Sequence, residues 1–415
     1  MSEQLVIYLN GRRVGHLTVE PHARYSFAYH PEWLGRVDAS VLSLSLPLTP
    51  EPYGYERARP FFAGLLPEGT VRQAVARRYG VSPTNDFRLL EAIGGECAGA
   101  VSLLTPDSSP VQTYEYRRLE SESLRALVSE RRWRPLLVGA EGVRLSLAGV
   151  QDKLPVYLDG DDVLLPEGGA PTSHILKPPI PDLPESVENE AFCMELAHRL
   201  GVPVPRSRLR LDPVLLFEIE RYDRTRDEEG RLVRLHQEDL CQALGIPPEA
   251  KYEAEGGPSA ADCARLLDEH SASPALDRRA LIRWVIFNVL VGNADAHAKN
   301  VSVLHQGGKT VRRAPFYDLL STGVYADLSS KLAMKIGGEG RIDHLFRRHW
   351  ERLAGDLGVS PRAVLSTLNE MADAILGAAR DLSRAQDDRW GPAEIRARIS
   401  GFIEANTHGI LRRLD

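Results

Sequence analysis

The feature that most restricts the fold of this chain is the apolar segment LIRWVIFNVLV, which spans residues 281–291. A helix that is apolar on every side is buried inside a domain, so the segment predicts the core helix of a helical region. The polar turn GNADAHAKN, residues 292–300, follows it directly. Polar groups crowded at the end of a buried element need water or a ligand as partners. The turn is therefore the first candidate for a functional site.

The composition of the whole chain is that of a folded protein, and its charge restricts the functions that fit. The 415 residues are 43% hydrophobic and 26% charged, and the formal net charge is -6. This length suggests roughly two or three domains on a prior of about 150 residues each. The negative charge argues against a protein whose main task is gripping nucleic-acid phosphates, although it leaves room for a local basic patch.

The cysteines and the apolar segments indicate a cytoplasmic protein. Cys97, Cys193, Cys241 and Cys263 are widely spaced, which suggests neither a disulfide framework nor a metal cluster. The first residues have no basic region followed by an apolar one, and no later segment approaches ~20 uninterrupted apolar residues. We therefore expect the protein to stay in the reducing cytoplasm, with no membrane partner.

Alternating apolar and polar residues predict an antiparallel sheet at the start of the chain. In LVIYLNGRRVGHLTV the alternation is interrupted by Asn10-Gly11, a strong hairpin signal because both residues tolerate positive φ. The segment LSLSLPL, residues 42–48, alternates again and predicts another strand.

A helix and a linker follow this predicted sheet. FFAGLLPEGTVRQAVARRYG, residues 61–80, has helical spacing and ends on a glycine, and residues 105–113 are rich in Pro, Ser and Thr. These patterns predict a small α+β domain over residues 1–110.

The rest of the chain predicts a strand-rich region with one helix, followed by a helical region. VRLSLAG, LPVYL, HILKPP and LRLDPVLLFEIERY read as strands, and VENEAFCMELAHRLG as the helix between them. From about residue 236 onward helical periodicity dominates, except for strand-like pieces at VSVLH and around APFYDL. We place the domains at residues 111–222 and 223–415.

The polar residues of the turn have the spacing of a phosphoryl-transfer site. In protein kinases a catalytic-loop Asp precedes a metal-binding Asn by five positions, and a second metal-binding Asp lies on a later segment. Asp295 and Asn300 have this spacing, and Asp318 offers the later carboxylate, with oxygen ligands that suit Mg²⁺. An isolated Asp in a polar loop more often caps a turn. His297 has no second His or Cys nearby, so it does not indicate zinc.

Three further segments are candidates for ATP binding, and each also has an ordinary structural interpretation. Ala148 and Gly149 of SLAGVQDK lie between strand-like runs, where backbone amides could approach phosphates, but where a hairpin turn is the default. Lys177 ends an apolar strand and could pair with Glu190 on the next helix, although solvated side chains would look the same. FEIERYDR, residues 217–224, is either a connector that holds adenine or an edge strand.

Taken together, these stretches resemble the HipA family of serine/threonine protein kinases, the toxins of bacterial toxin–antitoxin modules. The resemblance extends along nearly the whole chain and implies an α+β, two-lobed protein-kinase-like fold with a small N-terminal subdomain and a helical C-terminal lobe. The matching motifs are FAYHPEWL, LSLSLPL, FFAGLLPEG, SLAGVQDK, SHILKPP, VENEAFCMELAHRLG, ERYDR, HQEDLCQALG, KYEAEGGPS, GNADAHAKNVSV, PFYDLLS and LAMKIGG.

The resemblance also implies a role for each residue that matches a family motif. Asp295 would be the catalytic base, Asn300 and Asp318 would hold Mg²⁺, and Lys177 would contact the phosphates of ATP. The other nucleotide contacts would come from the phosphate loop, the connector and the catalytic turn. These residues are Ala148, Gly149, Val150, Gln151, Asp152, Lys153, Glu220, Arg221, Tyr222, His297, Ala298, Lys299, Asn300 and Tyr317.

Regulation and partners are implied in the same way. Ser146 matches the family's autophosphorylated serine, and a phosphate there would switch the enzyme off by disfavouring the packed, ATP-holding loop. The implied substrate is an aminoacyl-tRNA synthetase, whose phosphorylation stalls tRNA charging and arrests growth. The implied partner is a HipB-like helix-turn-helix antitoxin, through which the kinase would reach operator DNA. The N-terminal domain would either support the smaller lobe or contact a partner.

Two residues depart from the family pattern, and two other functions fit the sequence. Ala296 stands where a Gly often follows the catalytic Asp, and Asp152 where Glu is common, but neither change removes a catalytic group. A fold and its catalytic residues do not specify the acceptor, so a small-molecule phosphotransferase is the alternative enzyme. The non-enzymatic alternative is a kinase-like module that only joins an antitoxin at DNA. The joint presence of the lysine, the base and both metal ligands argues against this alternative.

Overall fold

A computed structural model gives the fold of the chain and describes residues 3–110, 114–130, 149, 151–386 and 388–414. Of the predicted site residues, Ser146, Ala148 and Val150 lie outside the described residues. The strands are β1 (Gln4–Leu9), β2 (Arg12–Glu20), β3 (Arg24–Tyr29), β4 (Val101–Leu104), β5 (Glu115–Arg118), β6 (Leu154–Asp159), β7 (Asp162–Glu167), β8 (His174–Lys177), β9 (Ser207–Arg210), β10 (Leu216–Glu220), β11 (Arg224–Arg226), β12 (Leu232–Arg234), β13 (Gln237–Asp239), β14 (Ser302–Gly307), β15 (Thr310–Arg313), β16 (Lys331–Ile336) and β17 (Glu339–Arg341).

The helices alternate with these strands in the first half of the chain and dominate the second half. They are α1 (Pro31–Leu34), α2 (Tyr55–Gly64), α3 (Gly69–Tyr79), α4 (Asp86–Ile93), α5 (Ser121–Glu130), α6 (Ser186–Arg199), α7 (Leu240–Leu244), α8 (Ala260–His270), α9 (Pro274–Val291), α10 (Arg347–Asp356), α11 (Pro361–Arg384) and α12 (Ala393–Arg412). None of the described helices is long and apolar enough to cross a membrane.

The chain divides into two compact units. Unit 1 comprises Met1–Pro178, Arg210–Pro248 and Val303–Val311, and unit 2 comprises Pro179–Leu209, Glu249–Ser302 and Arg312–Asp415. This division by contacts does not test the three domain boundaries expected from the sequence, which stay a prediction.

Unit 1 begins with the antiparallel sheet that the sequence predicts, in the strand order β3-β2-β1-β4. The turn between β1 and β2 has Asn10 at φ 47° and Gly11 at φ 75°, as the hairpin signal requires. Apolar side chains of one sheet face and of α2 and α4 form its core. They include Leu5, Ile7, Leu17, Phe27, Phe61, Phe62, Phe87 and Leu90.

Two predictions for this region are wrong in detail. The segment at residues 42–48 forms only an isolated bridge between Ser43 and Leu46, because its polar groups bind a carboxylate instead of a neighbouring strand. The Ser43 hydroxyl and the Leu44 N–H donate to the two oxygens of Glu238 at 2.5 and 2.9 Å. The single helix expected over residues 61–80 is two helices, α2 and α3, since Pro67 between them has no N–H to continue a helix.

The second sheet has the order β5-β7-β6-β8-β10-β9. It confirms the strands predicted at LPVYL and in HILKPP, whereas VRLSLAG lies outside the described residues except for its final glycine. The run LRLDPVLLFEIERY is not one strand but the end of β9 and all of β10, because Pro213 between them has no N–H to donate to a sheet. The predicted strand at VSVLH is confirmed as β14, but APFYDL is not a strand; its neighbour β15 ends just before it.

Two buried histidines stack against each other in unit 1. The rings of His236 and His305 are 4.6 Å apart at an angle of 28°, and His236 Nε2 donates to the carbonyl of Leu42 at 2.8 Å. His305 Nε2 lies 2.9 Å from Glu238 Oε1. Burial, and then repulsion from His305, lowers the pKa of His236 from the ordinary 6.5 to about 3.

We expect this histidine to make unit 1 less stable in acid. Between pH 6.5 and about 3 the unfolded chain binds a proton at His236 that the folded chain does not. The free energy of unfolding therefore falls by up to ~1.4 kcal/mol for each unit by which the pH is lowered. His236→Gln keeps an amide donor for Leu42 and should flatten this slope in urea unfolding below pH 6.5. His22→Asn, at an exposed histidine, is the control. A slope unchanged in His236→Gln would refute the assignment.

Unit 2 is mostly helical, as predicted. The apolar segment 281–291 forms the second half of α9, which ends at Gly292 in the left-handed conformation at φ 69°. A Cβ at Gly292 would lie 2.3 Å from the ring of Phe402 in α12, so only glycine fits this position. The buried end of α9 therefore fixes where the polar turn begins.

Candidate active site

The polar turn at residues 292–300 is held to the end of α9 by the side chain of Asn293. This residue is buried, its Nδ2 donates to Asn288 Oδ1 at 2.8 Å, and its Oδ1 accepts from the N–H of Asp295 at 3.1 Å. A buried amide that uses both ends is costly to move. The backbone of Asp295 is thus fixed to the helix, while its side chain is exposed.

Two later segments of unit 2 fix the turn from its other side. Thr322 Oγ1 accepts from the N–H of Ala294 at 2.8 Å and donates to the carbonyl of Gly292 at 2.9 Å. The N–H of Ala333 in β16 donates to the carbonyl of Ala294 at 2.8 Å. The residue before Asp295 therefore has both backbone groups bonded to other segments.

The structure brings Asn300 and Asp318 together, as predicted for a metal-binding pair. Asn300 Nδ2 lies 3.4 Å from Asp318 Oδ2, and Asn300 Oδ1 accepts from the N–H of His297 at 3.1 Å. The backbone of Asp318 is left-handed at φ 54°, an uncommon conformation for a residue other than glycine. A carboxylate and an amide are side chains that can offer the hard oxygen donors that Mg²⁺ prefers, although here the amide nitrogen of Asn300 faces Asp318 and its oxygen is bonded to His297.

The other residues predicted near this pair are mostly buried. His297, Ala298 and Lys299 have little exposure, and the last two lie in a short 3-10 turn that ends at Asn300. The hydroxyl of Tyr317 donates to the carbonyl of Lys299 at 2.7 Å and lies 2.8 Å from Ser302 Oγ. Tyr317 thus connects the segment of Asp318 with the turn that carries Asn300.

In unit 1, Lys177 ends β8 and is buried, with its Nζ 5.8 Å from the ring centre of Phe217 in β10. The phosphate-loop segment is fixed to the same strand end, because Gln151 Nε2 donates to the carbonyl of Pro178 at 3.0 Å. Lys153 Nζ donates to the carbonyl of Gln151 at 3.3 Å. Unit 1 therefore places two lysines and the described part of the loop near the end of β8.

The glycine of this loop has a conformation that other residues rarely adopt. Gly149 has φ 113°, its carbonyl accepts from the N–H of Glu68 at 3.0 Å, and a Cβ there would lie 2.6 Å from Lys153 Nζ. Asp152, one of the departures from the family pattern, is half-buried. A backbone this tight matches the close approach expected of a phosphate-binding loop.

The connector residues differ in what their side chains do. Glu220 is exposed, and Tyr222 donates through its hydroxyl to Gln237 Oε1 at 2.9 Å. Arg221 is buried, and its N–H donates to the carbonyl of Ser173 at 2.9 Å. Its guanidinium points into an ion cluster.

This ion cluster joins the N-terminal part of unit 1 to the connector. Arg221 Nε and Nη2 donate to the two oxygens of Asp223 at 2.9 and 2.8 Å. Although burial raises the pKa of the Asp223 carboxyl, the charges of Arg221 and Arg224 outweigh it and hold that pKa well below its usual range. The N–H of Gly99 also donates to Asp223, at 2.7 Å.

Glu96 is the second carboxylate of the cluster. Its Oε1 accepts from the N–H and hydroxyl of Thr172, at 3.3 and 3.1 Å, and from Arg224 Nη2 at 3.0 Å. Burial, and then the charge of Arg221, lowers the pKa of Arg224 to about 10. No local pattern in the sequence indicates this cluster, because its members are far apart along the chain and single charged residues usually lie on the surface.

Two matches to known families cover most of the chain. The HipA N-terminal domain matches residues 5–104, and the HipA-like C-terminal domain matches residues 145–379. This chain belongs to the HipA family.

Relatives of this HipA protein are named as kinases. The chain is 43% identical to "Putative kinase Y4mE" of Sinorhizobium fredii, over 97% of this chain and 96% of that protein. It is 28% identical to "Serine/threonine-protein kinase toxin HipA" of Shewanella oneidensis, over 89% and 86% of the two chains.

A solved structure confirms the fold of this HipA protein. It is described as the Shewanella oneidensis MR-1 toxin–antitoxin system of HipA, HipB and its operator DNA, and the similarity has a TM-score of 0.84 at 27% identity. It covers 98% of this chain and 97% of that one. The expected α+β, two-lobed kinase-like fold is therefore correct.

Proposed function

We propose that this protein is an ATP- and Mg²⁺-dependent serine/threonine protein kinase that acts as the toxin of a toxin–antitoxin module. The observation that carries the proposal is the placement of Asn300 beside Asp318, on a turn whose backbone also fixes Asp295. The names of its relatives as kinases support the use of ATP. Among the described residues no group of three or more His, Cys, Asp or Glu could hold a metal, but Mg²⁺ in kinases needs only one or two carboxylates and the nucleotide phosphates.

Each predicted residue then has a task in the transfer. Asp295 accepts the proton of the acceptor hydroxyl while the hydroxyl oxygen forms a bond to the γ-phosphorus of ATP. The bond between that phosphorus and the bridging oxygen breaks, which releases ADP. Asn300 and Asp318 would hold Mg²⁺, which neutralises charge on the phosphates. Lys177 and the loop of Gly149, Val150 and their neighbours would contact the phosphates.

The remaining contacts, the regulation and the partners belong to the same proposal. Glu220 to Tyr222 would hold adenine, with the backbone carbonyl of Arg221 as a candidate acceptor. Autophosphorylation of Ser146 would inactivate the enzyme, an aminoacyl-tRNA synthetase is the substrate, and the cytoplasm is the location. The solved complex of a relative with HipB and operator DNA supports a HipB-like antitoxin as partner. The domains would be residues 1–110, 111–222 and 223–415.

A labelling experiment tests this proposal. The purified protein is incubated with ATP labelled in the γ-phosphate, Mg²⁺ and a cell lysate, beside Asp295→Asn. We expect label on Ser146 and on one lysate protein, and at least about a hundredfold less of both in the variant, because the proton acceptor is lost.

The control is Asp327→Asn, which removes an equal charge from an exposed position of unit 2 and should label like the wild type. Label on a metabolite in place of a protein would favour a small-molecule phosphotransferase. No label under any condition would contradict an enzyme and favour a module that only binds an antitoxin.

A further inference from the structure

The exposed carboxylate of Asp295 is held by a side chain to which the sequence assigned no role. The hydroxyl of Tyr252 donates to Asp295 Oδ1 at 2.8 Å. Tyr252 belongs to the motif KYEAEGGPS and lies 43 residues before Asp295 in the chain. One oxygen of the proposed base thus has a fixed donor within unit 2.

The ring of Tyr252 is itself fixed on more than one side. The ring of His297 meets it edge to face, with centres 5.6 Å apart at an angle of 69°. Lys251 Nζ lies 5.4 Å from its centre. A cation and a ring edge on one aromatic side chain restrict the directions in which its hydroxyl can point.

The backbone around Tyr252 is a tight turn that requires glycine. The N–H of Gly257 donates to the carbonyl of Tyr252 at 2.9 Å. A Cβ at Gly257 would lie 2.4 Å from the carbonyl oxygen of Ala250, so a larger residue would open the turn. The glycines of this motif therefore maintain the position of the tyrosine.

Strand β16, which overlaps the motif LAMKIGG, forms hydrogen bonds to this turn and to the catalytic turn. The N–H of Lys335 donates to Glu253 Oε2 at 2.6 Å, next to Tyr252. The N–H of Ala333 donates to the carbonyl of Ala294, next to Asp295. The backbone N–H groups of residues two apart on a strand point to the same side. Strand β16 therefore bonds both to the residue after Tyr252 and to the residue before Asp295.

We propose that Tyr252 is a positioning residue for Asp295, which keeps one carboxylate oxygen bonded and directs the other to the acceptor hydroxyl. This inference depends on the proposed function, in which Asp295 is the base. The two motifs KYEAEGGPS and LAMKIGG thereby gain a shared task.

The variant Tyr252→Phe tests this inference, because it removes the hydroxyl and keeps the ring. Initial rates of γ-phosphate transfer to protein are measured as a function of ATP concentration, with thermal unfolding as a check of the fold. We expect kcat to fall about tenfold with the KM for ATP unchanged, because the carboxylate of Asp295 is no longer held toward the acceptor hydroxyl. A merely structural tyrosine would lower the thermal stability without this selective loss of kcat.

The matched control is Tyr325→Phe in the same unit, whose hydroxyl donates to the carbonyl of Pro184 at 3.0 Å and not to Asp295. Its kcat and its KM for ATP should match the wild type. An unchanged kcat in Tyr252→Phe, or a faster rate, would overturn the inference, the latter by showing that the phenol blocks the acceptor. Asp295→Asn distinguishes failure of the proposed function from failure of the inference about Tyr252. Full activity in that variant would refute Asp295 as the base, whatever Tyr252 does.

Discussion

Asp318→Asn is expected to lower the rate of phosphoryl transfer by about 10³- to 10⁵-fold at saturating ATP. The variant loses the carboxylate of the proposed Mg²⁺ pair, and the amide beside Asn300 leaves the metal with two neutral ligands from the protein. Several kcal/mol of charge stabilisation in the transition state depend on that metal. Asn also tolerates the left-handed backbone at this position, so the change should leave the fold intact.

The measurement is the initial rate as a function of Mg²⁺ concentration, with thermal unfolding as a check of the fold. Asp318→Asn should need more Mg²⁺ and still reach a far lower maximum. Asp327→Asn, exposed and nine residues further on, should follow the wild-type curve. A wild-type rate for Asp318→Asn at ordinary Mg²⁺ concentration would rule out a metal-binding role for Asp318.

Glu96→Ala is expected to destabilise unit 1 by about 3–5 kcal/mol. The substitution removes an acceptor from Arg224 and from both polar groups of Thr172, all of them buried. A buried guanidinium without part of its counter-charge is costly, and no solvent reaches the position to replace the carboxylate. The shift of the urea midpoint at neutral pH measures the loss.

Glu167→Ala provides the contrast on the same unit. Glu167 Oε1 accepts from Arg117 Nε at 2.8 Å, closer than the bond between Glu96 and Arg224, but both partners are exposed. An exposed pair contributes less than about 1 kcal/mol. Equal losses in the two variants would show that burial does not set the strength of the Glu96 interactions.

Local patterns in the sequence were enough to predict several of the helices and strands and the polar turn at residues 292–300. The Asn10-Gly11 turn, the buried α9 and the adjacency of Asn300 and Asp318 follow from positive φ, from apolar periodicity and from motif spacing, all of which act over short distances. The placement of Lys177, Asp295 and the other predicted residues around a nucleotide stays a prediction.

Long-range interactions decided what the sequence did not show. The segment at residues 42–48 alternates like a strand, but a carboxylate almost two hundred positions later takes its polar groups. In the sequence Tyr252 is only one residue of a motif, because no local pattern indicates which carboxylate its hydroxyl will contact. Partners of this kind become visible only once the chain has folded.

The ion cluster of unit 1 has a consequence for how this protein can be divided. Glu96 and Gly99 provide acceptors and a donor to Arg221, Asp223 and Arg224, which are more than a hundred positions away. Deleting the first hundred residues would take Glu96 away from two buried arginines and leave Asp223 as their remaining counterion in this cluster. The N-terminal segment is thus an integral part of the packing around the connector, and exchanging it between relatives would require the acidic residue at position 96 to be exchanged with it.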